Sequence, residues 1–291
     1  MFQDYVLYGL KLWCIRLVPT LFPFMVLTSI FWAVYDQRNC QKNSTLLTAL
    51  GKMWHLSPKN IYILLFGLLC GYPSGAAVIS KRYKQNELTK NEANYLISIC
   101  NQSSPAFISA YFINYILEAK EKQFLIFLIL YCGIYLTSLF TRYIYRTSDL
   151  QLHPEYSTSP AFKKGRNSSF FQILDQAVKE GINTCLMIAG YMILCSASIG
   201  FIINTFSYFS PYHSIAASFM EITYGLSALK DSALTDHTKE MLLIPLFSFG
   251  GICTMAQIKG MFVGTSLSIK PYLIGKSIYT VILWMLFKLL I

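Results

Sequence analysis

Two apolar arms in this chain, each too short to cross a bilayer, end at glycine-rich polar breaks. The first, Ile61-Tyr62-Ile63-Leu64-Leu65-Phe66-Gly67-Leu68-Leu69-Cys70, runs into Gly71-Tyr72-Pro73-Ser74-Gly75. The second, Met241-Leu242-Leu243-Ile244-Pro245-Leu246-Phe247-Ser248-Phe249, runs into Gly250-Gly251, with Thr254 and Gln257 following. A helical arm of about ten residues rises only ~15 Å, half of the ~30 Å hydrocarbon core. Backbone that unwinds at membrane depth must be buried in protein or line a cavity. Interrupted segments in both halves of a membrane chain therefore point to a solute site near the midplane, and to a transporter.

The membrane assignment follows from composition. Hydrophobic residues make up 54% of the chain and charged residues 13%, about half of what soluble domains carry. Five stretches are long enough to cross: 17–35, 93–116, 123–141, 183–207 and 271–291. The middle three contain no Asp, Glu, Lys or Arg. The start, Met1-Phe2-Gln3-Asp4, lacks the basic region of a signal peptide, so a mature N-terminus is expected. The net charge of +10 is read as topology rather than nucleic-acid binding, because excess Lys and Arg decorate cytoplasmic loops.

The expected fold is an all-α polytopic membrane protein, an inverted repeat with two re-entrant broken-helix hairpins and about five full transmembrane helices. Residues 1–146 form the first repeat, 147–167 a basic cytoplasmic linker and 168–291 the second repeat. In this layout the Gly71–Gly75 tip matches the Gly250-Gly251 tip, and 46–54 matches a single short helix at 214–228. With five crossings, 36–59, 81–92 and 142–167 share the basic, cytoplasmic side. Residues 117–122, 208–213, 229–240 and 259–270 share the other, where Glu118, Glu121, Asp231, Asp236 and Glu240 nearly balance the bases.

Three clusters are candidates for solute binding. In Gly71-Tyr72-Pro73-Ser74-Gly75, glycine permits close backbone approach and proline removes an amide donor. The alternative is a plain loop between two full helices. Asn101-Gln102-Ser103-Ser104-Pro105 interrupts 93–116 with consecutive polar positions that are costly facing lipid. They either line a solute path or glue helices together. Gly250, Gly251, Thr254 and Gln257 form the third, with Thr254 and Gln257 on one helical face. Arg16 at the edge of the first span is read as snorkelling, and Lys179-Glu180 as an interfacial pair. No carboxylate is expected deep in a span. The eight cysteines form no CxxC pair and the four histidines no ligand spacing, so neither a metal nor a cofactor is expected. No nucleophile–base pair points to an enzyme.

With these residues in place, the chain resembles the YlbJ/SpoVV-type sporulation integral membrane proteins, which carry a GYPxGA tip, an N-x-S-x-P element about 30 residues later, and a Gly-Gly tip followed by Gln. Here these are Gly71–Ala76, Asn101–Pro105, and Gly250, Gly251 and Gln257. The Glu221-Ile222-Thr223-Tyr224-Gly225 stretch resembles the family's helix before the second tip. Where the family frequently has Lys, this chain has Ala77. The resemblance implies the nucleoside-recognition gate fold, and transport of a small anionic or heterocyclic solute, dipicolinic acid first, across the outer forespore membrane. A nucleoside permease and a non-transporting scaffold for spore-envelope assembly are the alternatives. The implied partners are a small-molecule solute and the lipid bilayer, without nucleic acid, with homo-oligomerisation left open.

Overall fold

The computed structural model describes residues 2–37, 45–145, 169–205 and 212–290, and all regular structure among them is helical. The linker read at 147–167 lies outside them, as does the side chain of Arg16. The first half opens with α1 (Phe2–Leu12), which passes through a π turn (Trp13–Leu17) into α2 (Val18–Gln37). The π turn sits immediately before Pro19 and Pro23, whose missing amides leave carbonyls one turn back unpaired. There follow α3 (Thr45–Trp54), α4 (Pro58–Cys70) and α5 (Ser74–Lys84). Next come α6 (Lys90–Cys100), then α7 (Pro105–Phe107) continuing as a π-helix (Ile108–Ile116), and α8 (Gln123–Tyr145). The second half is α9 (Phe170–Thr205), α10 (His213–Met220), α11 (Ile222–Lys230), α12 (Asp236–Phe249), α13 (Gly251–Met261) and α14 (Lys270–Leu290).

Local chemistry fixes the ends of the short helices. Ser57 caps α4, accepting from the Asn60 amide, with Pro58 in the first turn. Thr89 and Glu92 form a capping box that starts α6. The Ser104 hydroxyl accepts from the Phe107 amide and restarts the chain after the break at 101–104.

Among the described residues, four stretches are long and apolar enough to cross a membrane: Lys120–Tyr145, Phe170–Ile203, Asp236–Met261 and Lys270–Leu290. The third differs from the expected hairpin. α12 packs on α11 and α14, whereas α13 packs on α9, α10 and α5. The arms on either side of Gly250 thus diverge, while α4 and α5 lie against each other. The stretch expected as one helix over 214–228 is also two. α10 and α11 meet at Glu221, which is extended (φ −143°, ψ 121°), and they pack tightly on each other.

The α1–α2 stretch and the 36-residue α9 run antiparallel. Tyr5 lies against Gly200, Gly9 against Ser196, and Phe22 and Val26 against Gly181. The Trp13 indole donates to the Cys185 carbonyl at 2.9 Å. A separate apolar cluster (Leu21, Met25, Cys185, Ile188, Met192) holds this pair together. The main core joins the remaining helices. In it Phe112 and Phe247 stack at 3.6 Å, and α14 rests on α6 where Gly275 meets the Ser98 backbone.

Cross-bundle contacts correct the expected loop partition. Lys84 Nζ donates to the Val263 carbonyl at 2.8 Å, and the Tyr83 hydroxyl meets Ser266 Oγ at 2.8 Å. The 259–270 segment therefore shares an end of the bundle with 81–92 instead of facing the opposite side. The reason is that Asp236–Met261 continues through its break. Lys81 pairs with Glu180 at 3.0 Å, so Glu180 reaches across to the first half, while Lys179 sits 4.0 Å from Asp175. At the other end Lys230 pairs with Glu118 at 2.5 Å. That hydrogen bond and charge hold the Glu118 carboxyl below the usual carboxylate range.

Candidate functional site

The first tip docks on the first break. α4 ends at Gly71 (φ 75°), a left-handed conformation that favours glycine. A Cβ there would sit 2.7 Å from the Ser104 amide nitrogen and 3.0 Å from the Gln102 carbonyl oxygen, so contact and dihedral both require its absence. The Tyr72 amide donates to the Gln102 carbonyl oxygen at 3.0 Å. Pro73 then caps α5, and the first-turn amide of Ser74 returns to the Gly71 carbonyl at 3.1 Å.

The second break docks in the same manner, on a different partner. Gly250 and Gly251 have φ of 91° and 72°. A Cβ on Gly251 would lie 3.1–3.4 Å from the carbonyl oxygens of Phe219, Ser218 and Met220. The Gly-Gly break thus sits on the C-terminal carbonyls of α10, where that helix gives way to α11.

Between these two junctions lies a cavity of about 470 Å³. Of the residues singled out from sequence, Tyr72, Ser103, Ser104, Thr254 and Gln257 line it. The Tyr72 hydroxyl lies beside the side chains of Ser103 and Thr254, joining the first tip, the first break and the second. The opposite wall, from α1–α2 and α9, is apolar: Ile15, Leu17, Pro19, Leu21, Ile188 and Met192. Phe107, Tyr111 and Tyr115 add an aromatic side. A cavity of this size with few convergent polar groups on an apolar lining has the anatomy of a small-molecule site.

The other predicted residues stand behind this wall. Ser74 Oγ and Asn101 Oδ1 are buried without hydrogen-bond partners. Asn101 Oδ1 faces Gly75, while its amide donates to the Ile97 carbonyl at 3.1 Å. Two orphaned acceptors next to a docked tip are costly unless something fills them. Gln102 turns away from the cavity toward α14.

Two ionisable residues escaped sequence reasoning. Glu221, named from sequence only as the start of the 221–225 stretch, is 5% exposed and lies on the cavity wall. Its carboxylate accepts from the Thr223 and Tyr224 amides at 3.0 and 2.7 Å, capping α11. The readable signal was an acid directly before Ile-Thr-Tyr, an N-cap pattern. Lys276 is 2% exposed inside α14. Its signal was a charge well inside the apolar 271–291 stretch, whose other lysine, Lys288, falls in the last turn of α14.

Fold and site together define a multi-pass α-helical integral membrane protein with a solute-sized cavity between its two halves. Comparison with known proteins narrows this. The chain is similar to sporulation integral membrane protein YlbJ of Bacillus subtilis (strain 168), 21% identical over 311 residues that cover 95% of this chain and 76% of that protein. It is thus a distant homologue along nearly its whole length, in agreement with the motif resemblance. That relative is a membrane protein, not named as an enzyme. No family model matches the chain, and no solved structure does.

Proposed function

We propose that this protein is a transporter for a small heterocyclic carboxylate, dipicolinic acid first, acting in the outer forespore membrane during sporulation. One observation carries the reading: polar side chains from the first tip, the first break and the second break converge on one cavity. The substrate rests on the resemblance to sporulation membrane proteins and on the flat aromatic side of the cavity, which suits a planar ring.

The halves read as an inverted repeat with a revised correspondence. Each has a long opening helix, a packed pair of short helices, a broken helix and a closing helix. The α4–α5 pair matches α10–α11, and the break at Asn101–Ser104 matches Gly250-Gly251. With the packed pairs re-entrant and both broken helices crossing, each half crosses three times and the second enters from the opposite side. That arrangement suits alternating access.

Purified protein in liposomes loaded with a lanthanide reporter for dipicolinate tests the reading. Uptake above protein-free liposomes is expected. Absence of flux for dipicolinate and nucleosides alike would leave a scaffold. A second reading, a nucleoside permease, draws on Glu221, whose carboxylate suits a neutral, donor-rich solute better than an anion. Nucleoside uptake without dipicolinate uptake would select it.

A further inference from the structure

Lys276 is a buried ionisable amine that no acid among the described residues balances. Its ammonium donates to Gln102 Oε1 at 2.7 Å. It lies 5.7 and 5.5 Å from the ring centroids of Tyr272 and Tyr279. Among the described residues no carboxylate pairs with it. A buried ammonium loses several kcal/mol of hydration. One amide oxygen and two ring faces return only part of that. An ionisable side chain retained inside a membrane bundle on such terms marks a functional position.

Its surroundings say what it awaits. The amide oxygen of Gln102 is the uncharged counterpart of a carboxylate oxygen, and the Gln102 amide nitrogen is held only weakly, to the Ile99 carbonyl at 3.4 Å. Beside the pair is a void of about 10 Å³ reaching Ser103, on the order of one water molecule by that measure. Ser103 also lines the large cavity, so the ammonium stands one residue behind the solute wall. The Tyr272 hydroxyl, one helical turn from Lys276, is buried with no hydrogen-bond partner and faces Gly250 of the second break. Glu221 occupies another part of the cavity wall, its oxygens engaged by α11 amides. A ring-borne carboxylate turned toward Lys276 is therefore attracted there and spared Glu221.

We infer that Lys276 is the anion-recognition group of this cavity: a solute carboxylate, admitted past Ser103, replaces Gln102 Oε1 on the ammonium, Gln102 being the placeholder of the empty state. This rests on the heterocyclic-carboxylate reading above and adds the residue that reads the charge.

The test compares dipicolinate with its uncharged diamide by calorimetry on purified protein in nanodiscs. Wild type is expected to prefer the diacid. In Lys276→Met the diacid affinity should fall at least tenfold, to that of the diamide, with diamide binding unchanged. Lys276→Arg should keep the preference. The double variant Lys276→Met with Gln102→Leu removes both partners, leaves neither of the two buried alone, and should likewise lose acid preference if the single variant does not fold. Equal losses for acid and amide, or wild-type diacid affinity in Lys276→Met, overturn the inference. Equal wild-type affinity for both ligands overturns it while leaving transport intact. No wild-type binding of either sinks the substrate reading as well.

Discussion

Tyr111 on the first half donates its hydroxyl to the backbone carbonyl of Thr223 on the second, closing one side of the cavity between them. Tyr111 is 4% exposed, and stacks on Phe107 at 4.9 Å. Tyr111→Phe keeps the stack and removes the tie. Thermal unfolding in detergent should show a loss of around 0.6 kcal/mol, the average for such interhelical bonds in membranes. An unchanged midpoint would mean that the two halves do not depend on this bond.

Asn101 and Ser74 present buried acceptors without partners beside the docked first tip. If they accept from a donor group of the solute, Asn101→Ala should weaken binding by about 0.5–1.5 kcal/mol, on the order of two- to tenfold. Folding should change little, because only the bond to Ile97 is lost. Calorimetry and thermal melts on the same sample separate the two effects. A destabilised variant with normal affinity would return Asn101 to helix glue.

The contact between Tyr83 and Ser266 gives a topological prediction. In a cysteine-free background, cysteines at Asn86 and Val263 should react with an impermeant thiol reagent from the same side of the membrane. Opposite-side labelling would mean that Asp236–Met261 turns back within the bilayer. From the lysines and arginines of both loops, the expected labelling side is the cytoplasmic one.

Gly251 is constrained twice, by its positive φ and by the α10 carbonyls around it. Gly251→Ala should cost about 1–2 kcal/mol from the left-handed backbone alone, read as a lowered melting temperature. A variant as stable as wild type would show that the break re-forms without docking on α10.

The sequence made the helical membrane class, the breaks and the polar cavity residues Tyr72, Ser103, Ser104, Thr254 and Gln257 legible, since those rest on local signals: charge-free runs, glycine pairs, a polar interruption. What it obscured was partnership. Gly71 and Gly250-Gly251 look alike on paper, yet one closes a packed helix pair and the other joins two arms that diverge onto different helices. The distinction depends on which helix each arm packs against. The turn between α10 and α11, Met220-Glu221-Ile222, has no glycine, because the Glu221 side chain caps α11 directly. Lys276 was hidden by the averaging that finds spans, in which one charge among apolar neighbours disappears.

The cavity has hydrogen-bonding side chains from the tip and the breaks, and only apolar side chains from the two long antiparallel stretches. A surface with no donors or acceptors can part from a polar solute without breaking a directional bond. Under the transport reading proposed above, the breaks hold a solute while the long helices part from it, leaving the release step to the greasy side of the molecule.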